Sequence, residues 1–230
     1  MKEIFVFVFG KPFGIVILQL LEATQFTIYL SLFAFFGGGV VGIVIALLRI
    51  YPSQKSKTGA VAYIWLFQSV PLLMLLFLFG LGIPRLFGQN VDPWIAAIGA
   101  LTLYTSAYLA DVWRGSIEAV PKGQWEGAFA LNFTPAKRMR KIIIPQIFPI
   151  ILPPAANLTV ELLKATALVA LVTVVDLTFE AKQINSITWL SAQCFGTALL
   201  IYYIISRFFL VPFLRWLEVL AARKVGKDKA

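Results

Sequence analysis

An ionisable pair, Glu161 and Lys164, lies in a largely apolar run of this chain, with Asn157 four residues ahead. Steps of four and then three residues put the three side chains on one helix face. Charged groups in an apolar span are costly and usually face a cavity or a partner. A zwitterion needs a cation beside its carboxylate and an anion beside its ammonium. Lys164 and Glu161 have those chemistries, and Asn157 and Thr166 add neutral hydrogen-bonding groups. The same two charges are also spaced i, i+3, the spacing at which they would simply pair and stabilise their own helix. Mutual neutralisation adds little net stability, which favours contact with a solute. Asp111 stands near the end of another apolar run. It either faces the same pathway or bridges to Arg114 one turn on. Pro145, Pro149 and Pro153 recur every four residues ahead of the pair, and Pro154 follows. Each interior proline removes a backbone hydrogen bond and frees a carbonyl, so this span is predicted to be interrupted. In lipid such carbonyls need protein or cavity water nearby.

A second constellation is a short amphipathic segment between apolar runs, Glu126-Gly-Ala-Phe-Ala-Leu-Asn132, followed after nine residues by Ile142-Ile-Ile-Pro145. Trp125, Ala128, Phe129 and Leu131 form an apolar stripe at helical spacing. Pro121 can start that helix, and Asn132, of a type that tolerates positive φ, can stop it. Thr134-Pro135 suits an N-cap and first position of a further helix. Two short helices at an angle, joined at Asn132-Phe133, make a wedge. A wedge fits a protein groove better than a flat lipid surface.

The elements that must hold these residues are membrane spans. Of 230 residues, 60% are hydrophobic, against roughly 45–50% in soluble domains. Five spans of about 20 residues are predicted: about Phe26 to Leu48, Ala60 to Leu81, Trp94 to Trp113, Gln146 to Leu168 and Cys194 to Leu214. Residues 1–25 could hold an additional amphipathic helix, with Phe13, Ile17, Leu20 and Leu21 on one face. The N-terminal run has no clean small-residue cleavage site, so it reads as retained and not as a signal peptide. Fifteen Lys and Arg residues fall in alternate segments: Arg49 to Lys57, Arg114 to Lys141, and a tail counted from Arg207 to Lys229. The opposite side has only Lys2, Lys11, Arg85 and Lys182. The positive-inside rule then predicts an outside N-terminus and a cytoplasmic C-terminus, with the wedge on the cytoplasmic side. Gly38 and Gly42 form a small-xxx-small pair suited to intramolecular packing or to a subunit interface. Most Trp and Tyr residues flank spans as interface anchors.

Composition excludes several classes. The net charge of +9 reads as loop orientation, since no basic patch is interleaved with base-stacking aromatics; nucleic acid is not an expected partner. With no histidine there is no bis-histidine haem site, and no His/Cys cluster offers a metal site. No G-x-x-x-x-G-K-[ST] loop is present, so the chain is not expected to bind ATP in the P-loop manner; it is read as a transporter subunit and not as an enzyme. The lone Cys194 cannot form an intrachain disulfide and suits small-residue packing.

The segment from Glu126 to Pro145 resembles the EAA loop of bacterial ABC-transporter permeases, E-A-A-x3-G-x9-I-x-L-P. Gly127, Asn132 and Ile144 replace the pattern's Ala, Gly and Leu. The run Tyr104-Thr-Ser-Ala-Tyr-Leu-Ala-Asp111, Arg114-Gly115 and Ala119-Val-Pro-Lys-Gly-Gln-Trp-Glu126 is similar to permeases of polar amino-acid importers. Pro145-Gln146, Pro153-Pro154, Asn157 and Lys164-Ala-Thr166-Ala-Leu168 continue the likeness, which covers about residues 22 to 215. The resemblance implies a single all-α, type I transmembrane domain of five spans over residues 1–230, in a bacterial inner membrane. It implies that Gln124, Trp125, Glu126, Gly127, Ala128, Asn132 and Pro145 take part in coupling to an ATPase. It supports Lys164 and Thr166 as pathway residues, and Glu161 less. The implied partners are an ATPase dimer that binds ATP and Mg, a second permease subunit, identical or paralogous, and a solute-binding protein. The implied solute is a polar amino acid or related zwitterion. The rivals are a self-contained channel or ion-coupled carrier, for which no inverted repeat is visible, and a membrane assembly subunit with no pathway.

Overall fold

The computed structural model describes residues 11–50, 53–88 and 91–224, and among these every regular element is helical. Helix α1 runs unbroken over Lys11–Ile50. Residues 11–25 are therefore the start of the first span and not a separate helix. The polar stretch Glu22 to Thr27 does not break the helix, and Val16 and Leu20 are fully buried against Leu177, Ala181 and Cys194. The first ten residues of the expected N-terminal segment lie outside the described residues.

The second predicted span is broken. Helix α2 (Gln54–Ser69) and helix α3 (Leu72–Phe87) meet at 98°. The cause is Pro71. It has no N–H to continue the ladder, and it drives the residue before it out of the helical region; Val70 has φ −90° and ψ 128°. Helix α4 (Pro93–Glu118) begins on Asp92, whose carboxylate accepts from the Trp94 N–H. A short helix, α5 (Lys122–Ala130), follows.

Helix α6 spans Pro135–Val172. It was expected to be interrupted by its prolines, yet Ile144–Ala165 stays α-helical through Pro149, Pro153 and Pro154. Its irregular parts lie at the two ends, a π turn at Met139–Ile143 and a 3-10 stretch at Thr166–Val172. The second arm of the predicted wedge is accordingly the foot of this span and not an independent short helix. Helix α7 (Leu177–Thr188) is half-apolar, and α8 (Ser191–Arg223) closes the fold. Among the described residues four helices are long and apolar enough to cross a membrane, or five spans if the bent α2–α3 pair counts as one. Arg207, counted above with the C-terminal tail, lies inside α8 in a π turn at Ile205–Leu210.

In lipid the hydrophobic effect gives helices little reason to associate, so close backbone approach and hydrogen bonds decide packing. Helix α1 crosses α4 at Gly38 and Gly42. A Cβ at Gly38 would come within 2.8 Å of the Thr105 Cβ, and one at Gly42 within 3.0 Å of the Ser106 carbonyl oxygen. That contact assigns this small-residue pair to intramolecular packing. Leu30, Leu76, Leu101, Leu162 and Val169 then join α1, α3, α4 and α6 in one core. Cys194 is buried in the second core with α1 and α7, as its small-residue role requires.

Candidate functional site

The amphipathic hairpin is built as its residue types dictate. Pro121 precedes α5, and the chain leaves it through Asn132, whose φ is +53°. The Asn132 N–H donates to the Phe129 carbonyl at 2.8 Å and the Phe133 N–H to the Ala128 carbonyl at 3.1 Å, which satisfies carbonyls a helix end otherwise orphans. The Thr134 hydroxyl then accepts from the Lys137 N–H at 3.4 Å, with Pro135 in the first turn. Two contacts lock α5 to the foot of α6. The guanidinium of the buried Arg138 stacks 3.5 Å over the Phe129 ring, and the Gln146 side-chain amide donates to Gln124 at 3.1 Å. Gln146 also holds the Ile142 carbonyl at 3.0 Å, four residues back.

The predicted stripe divides. Ala128 is buried and Trp125 packs into a core with Ile117, Val120 and Ile143, whereas Phe129 and Leu131 are exposed. Gly127 is also exposed, with no atom within 4 Å of a would-be Cβ. Glu126 was expected to cap or pair within the wedge. It is exposed, and among the described residues it makes no hydrogen bond or ion pair. Pro145 stands at the start of the α-helical part of α6, just past the π turn.

Asp111 bridges, and to more than Arg114. Its carboxylate accepts from Arg49 Nη1 at 2.6 Å, from Gln68 Nε2 at 2.9 Å and from Arg114 Nε at 3.3 Å. It thereby ties the ends of α1 and α2 to α4. Arg114 also pairs with Glu118. Arg49, Lys57, Arg114 and Trp125 line one cavity, so the first two basic segments and α5 share one end of the molecule.

Asn157, Glu161 and Lys164 do form one exposed face of α6, with Ala155, Leu158 and Leu162 buried behind them. Glu161 and Lys164 make no ion pair with each other; the Tyr104 hydroxyl of α4 donates to Glu161 at 3.5 Å. Lys164 instead lines a groove with Thr178 of α7 and with Tyr202, Ser206 and Arg207 of α8. Thr166 is not on this face. It is fully buried and its hydroxyl donates to the Leu163 carbonyl at 2.7 Å.

One buried polar cluster was not anticipated. Asp176 caps α7, accepting from the Phe179 N–H at 2.8 Å and from the Tyr202 hydroxyl at 3.2 Å. Thr178 shares the Tyr202 hydroxyl at 3.2 Å, and the Thr27 hydroxyl accepts from the Leu177 N–H at 3.1 Å. Burial pushes the Asp176 carboxyl up to about 6, against the pull of hydrogen bonds from the Phe179 and Thr178 N–H groups and from Tyr202. The available signal was an aspartate just ahead of Leu177-Thr-Phe, an ordinary N-cap pattern.

Comparison with known proteins bears on most of the chain. Residues 38–224 match the family model described as binding-protein-dependent transport system inner membrane component. The probable glutamine ABC transporter permease protein GlnM of Bacillus subtilis (strain 168) is 32% identical over 180 residues, which are 78% of this chain and 83% of that one. The arginine transport system permease protein ArtQ of the same organism is 31% identical over 186 residues, covering 81% of this chain and 85% of its own. Among solved structures, a chain from the crystal structure of an amino acid ABC transporter with histidines superposes with a TM-score of 0.81 at 32% identity, covering 89% of this chain and 94% of that chain. A chain of the inward-facing MetNI methionine ABC transporter gives 0.69 at 21% identity, over 86% and 95%, a likeness of fold alone.

Proposed function

We propose, from the fact that this chain belongs to the family of binding-protein-dependent transport system inner membrane components, that it is the permease subunit of an ATP-driven importer for a polar amino acid or related zwitterion. Relatives named for glutamine and arginine transport support the solute class. The observation that carries the mechanism is a single continuous helix, with one π turn near its foot. Helix α6 holds the Asn132–Arg138 hairpin at its foot and Lys164 near its other end, about 44 Å away at 1.5 Å per residue. An ATPase that moved α5 would move α6 through the Arg138–Phe129 and Gln146–Gln124 contacts, and with it the face that bears Asn157, Glu161 and Lys164.

In this reading the chain is one transmembrane domain, multi-pass in a bacterial inner membrane, and not itself an enzyme. Its partners are a dimer of ATPases that bind ATP and Mg, a second permease subunit and a solute-binding protein. The end carrying Arg49, Lys57, Arg114 and α5 faces the cytoplasm, as the positive-inside rule requires. Glu126 meets the ATPase; its lack of any partner among the described residues supports this. Lys164 takes the solute carboxylate and Glu161 or its neighbours the ammonium. The exposed Asn157 contributes hydrogen bonds, and the buried Thr166 shapes the helix end from behind. Asp111 acts on the pathway indirectly, by fixing three helix ends.

The test is transport by the assembled complex. Lys164→Leu and Glu161→Leu should each lower solute uptake about tenfold or more, the scale set by losing a charge-assisted hydrogen bond. The double variant should be at least as impaired as the worse single one. A double variant that reaches the membrane, assembles with its ATPase and transports near normally would rule out solute contact.

A further inference from the structure

The groove between α6 and α8 has a second cation that the pathway reading does not use. Lys164 and Arg207 line the same cavity of about 650 Å³, with Thr178, Tyr202 and Ser206 as its hydroxyl groups and Val160 among its apolar walls. Arg207 is at the middle of α8, in the π turn at Ile205–Leu210. It stands eight residues ahead of Arg215, which is about 12 Å of helix. A π turn re-aims side chains and is over-represented at functional sites.

Neither cation is compensated. Among the described residues Lys164 and Arg207 make no hydrogen bond and no ion pair, and no carboxylate lines the groove. The acid bonded to the groove-lining Tyr202 is Asp176. It is fully buried and its carboxylate is occupied by the Phe179 N–H and the Tyr202 hydroxyl. Glu161 is engaged on the side of α6 toward Tyr104. The Ser206 hydroxyl is buried with no partner. Two uncompensated cations within a membrane-spanning helix pair call for anions from outside the chain.

We propose that this groove recognises a solute with two carboxylates, an acidic amino acid or similar dicarboxylate, and that Arg207 is the residue that selects it. This rests on the reading of Lys164 as a pathway residue. Lys164 takes the carboxylate common to all amino acids. Arg207 takes the second one in bidentate geometry, which a planar guanidinium matches and an ammonium does not. The solute ammonium is left to the exposed Glu161, three residues from Lys164 on α6, as in the reading above. A neutral or basic solute would leave the guanidinium without a carboxylate partner, and that difference is the basis of discrimination.

The experiment is binding of radiolabelled L-glutamate, L-glutamine and L-arginine to the permease–ATPase complex in nanodiscs. The solute-binding protein is omitted, because it would impose its own selectivity. The wild type should prefer glutamate. Arg207→Gln should weaken glutamate about tenfold or more while leaving glutamine within about twofold, and Arg207→Lys should recover part of the loss. Lys164→Gln should weaken both solutes. If Lys164→Gln weakens both and Arg207→Gln changes neither, or changes both alike, Arg207 does not select and the proposal fails while the pathway reading stands. If neither variant alters any binding, both readings fail. A wild type that binds no glutamate also overturns the proposal. Nanodiscs of phosphatidylcholine alone and with phosphatidylglycerol supply a separate arm. If Arg207→Gln alters only the response to phosphatidylglycerol, the guanidinium serves a lipid headgroup and the proposal fails. Recovery of each variant as a monodisperse permease–ATPase complex after size-exclusion chromatography shows that the chain is folded and assembled.

Discussion

Asp176 is fully buried and still carries a titratable carboxyl, so its protonation is linked to stability. Its folded value of about 6 lies above the ordinary 3.8. The folded chain therefore binds a proton between those values that the unfolded chain has released. The associated stability is complete below about pH 3.8 and is lost as pH rises through about 6; the loss by pH 8 is on the order of 3 kcal/mol. Asp176→Asn cannot ionise and keeps an oxygen for the Phe179 N–H. Its melting temperature should stay flatter than the wild type's between pH 5 and 8, measured by thermal unfolding in detergent. A wild type that grows more stable from pH 5 to 8 by an amount Asp176→Asn abolishes would contradict the argument. Single residues were unequally legible in the sequence. The face of Asn157, Glu161 and Lys164 follows from 3.6-residue geometry alone. Asp111 was visible as a charge beside a span, but only one of its three partners lies on its own helix. Arg49 and Gln68 are brought to it by tertiary packing, which no local pattern encodes. Arg207 was misassigned to the tail because counting charges carries no information on where a span ends.

At the scale of elements, chain-local chemistry was legible and long-range geometry was not. Pro121, Asn132 and Thr134-Pro135 each act through the backbone of their own neighbours, and the turn they specify is the one found, although its second arm runs on into α6. The three interior prolines of α6 misled, since a helix supported by neighbours on several sides tolerates lost ladder bonds. Pro71 did break its helix, because Val70 before it adopts an extended conformation. Two predictions belong here. Glu126→Arg should leave the protein in the membrane and abolish binding-protein-stimulated ATP hydrolysis; a variant with full transport would remove α5 from the coupling route. The crossing of α1 and α4 makes a contrast between adjacent glycines. Gly38→Ala brings a methyl to 2.8 Å from the Thr105 Cβ and should cost about 1–3 kcal/mol. A Cβ at Gly39 meets nothing within 4 Å, and Gly39→Ala should be neutral or stabilising by up to about 1 kcal/mol. Equal melting temperatures for the two variants would show that the helices part easily.

For the whole molecule, the proposed orientation makes a prediction of its own. Single cysteines introduced at Ser53 or Lys122 should resist a membrane-impermeant thiol reagent in sealed cells, and cysteines at Arg85 or Lys182 should react. Buried Cys194 is no competitor for the reagent. Labelling at Ser53 or Lys122 would invert the orientation. The Gly38–Thr105 contact also constrains how the protein is made. The tightest partner of α1 is not its neighbour in sequence but a helix that leaves the ribosome about seventy residues later, a delay of several seconds at roughly 5–20 residues per second. Throughout that interval α1 is in the bilayer with its glycine groove open. Nascent chains arrested before α4 should therefore be the ones a membrane protease removes first, and chains arrested just after it the first to survive.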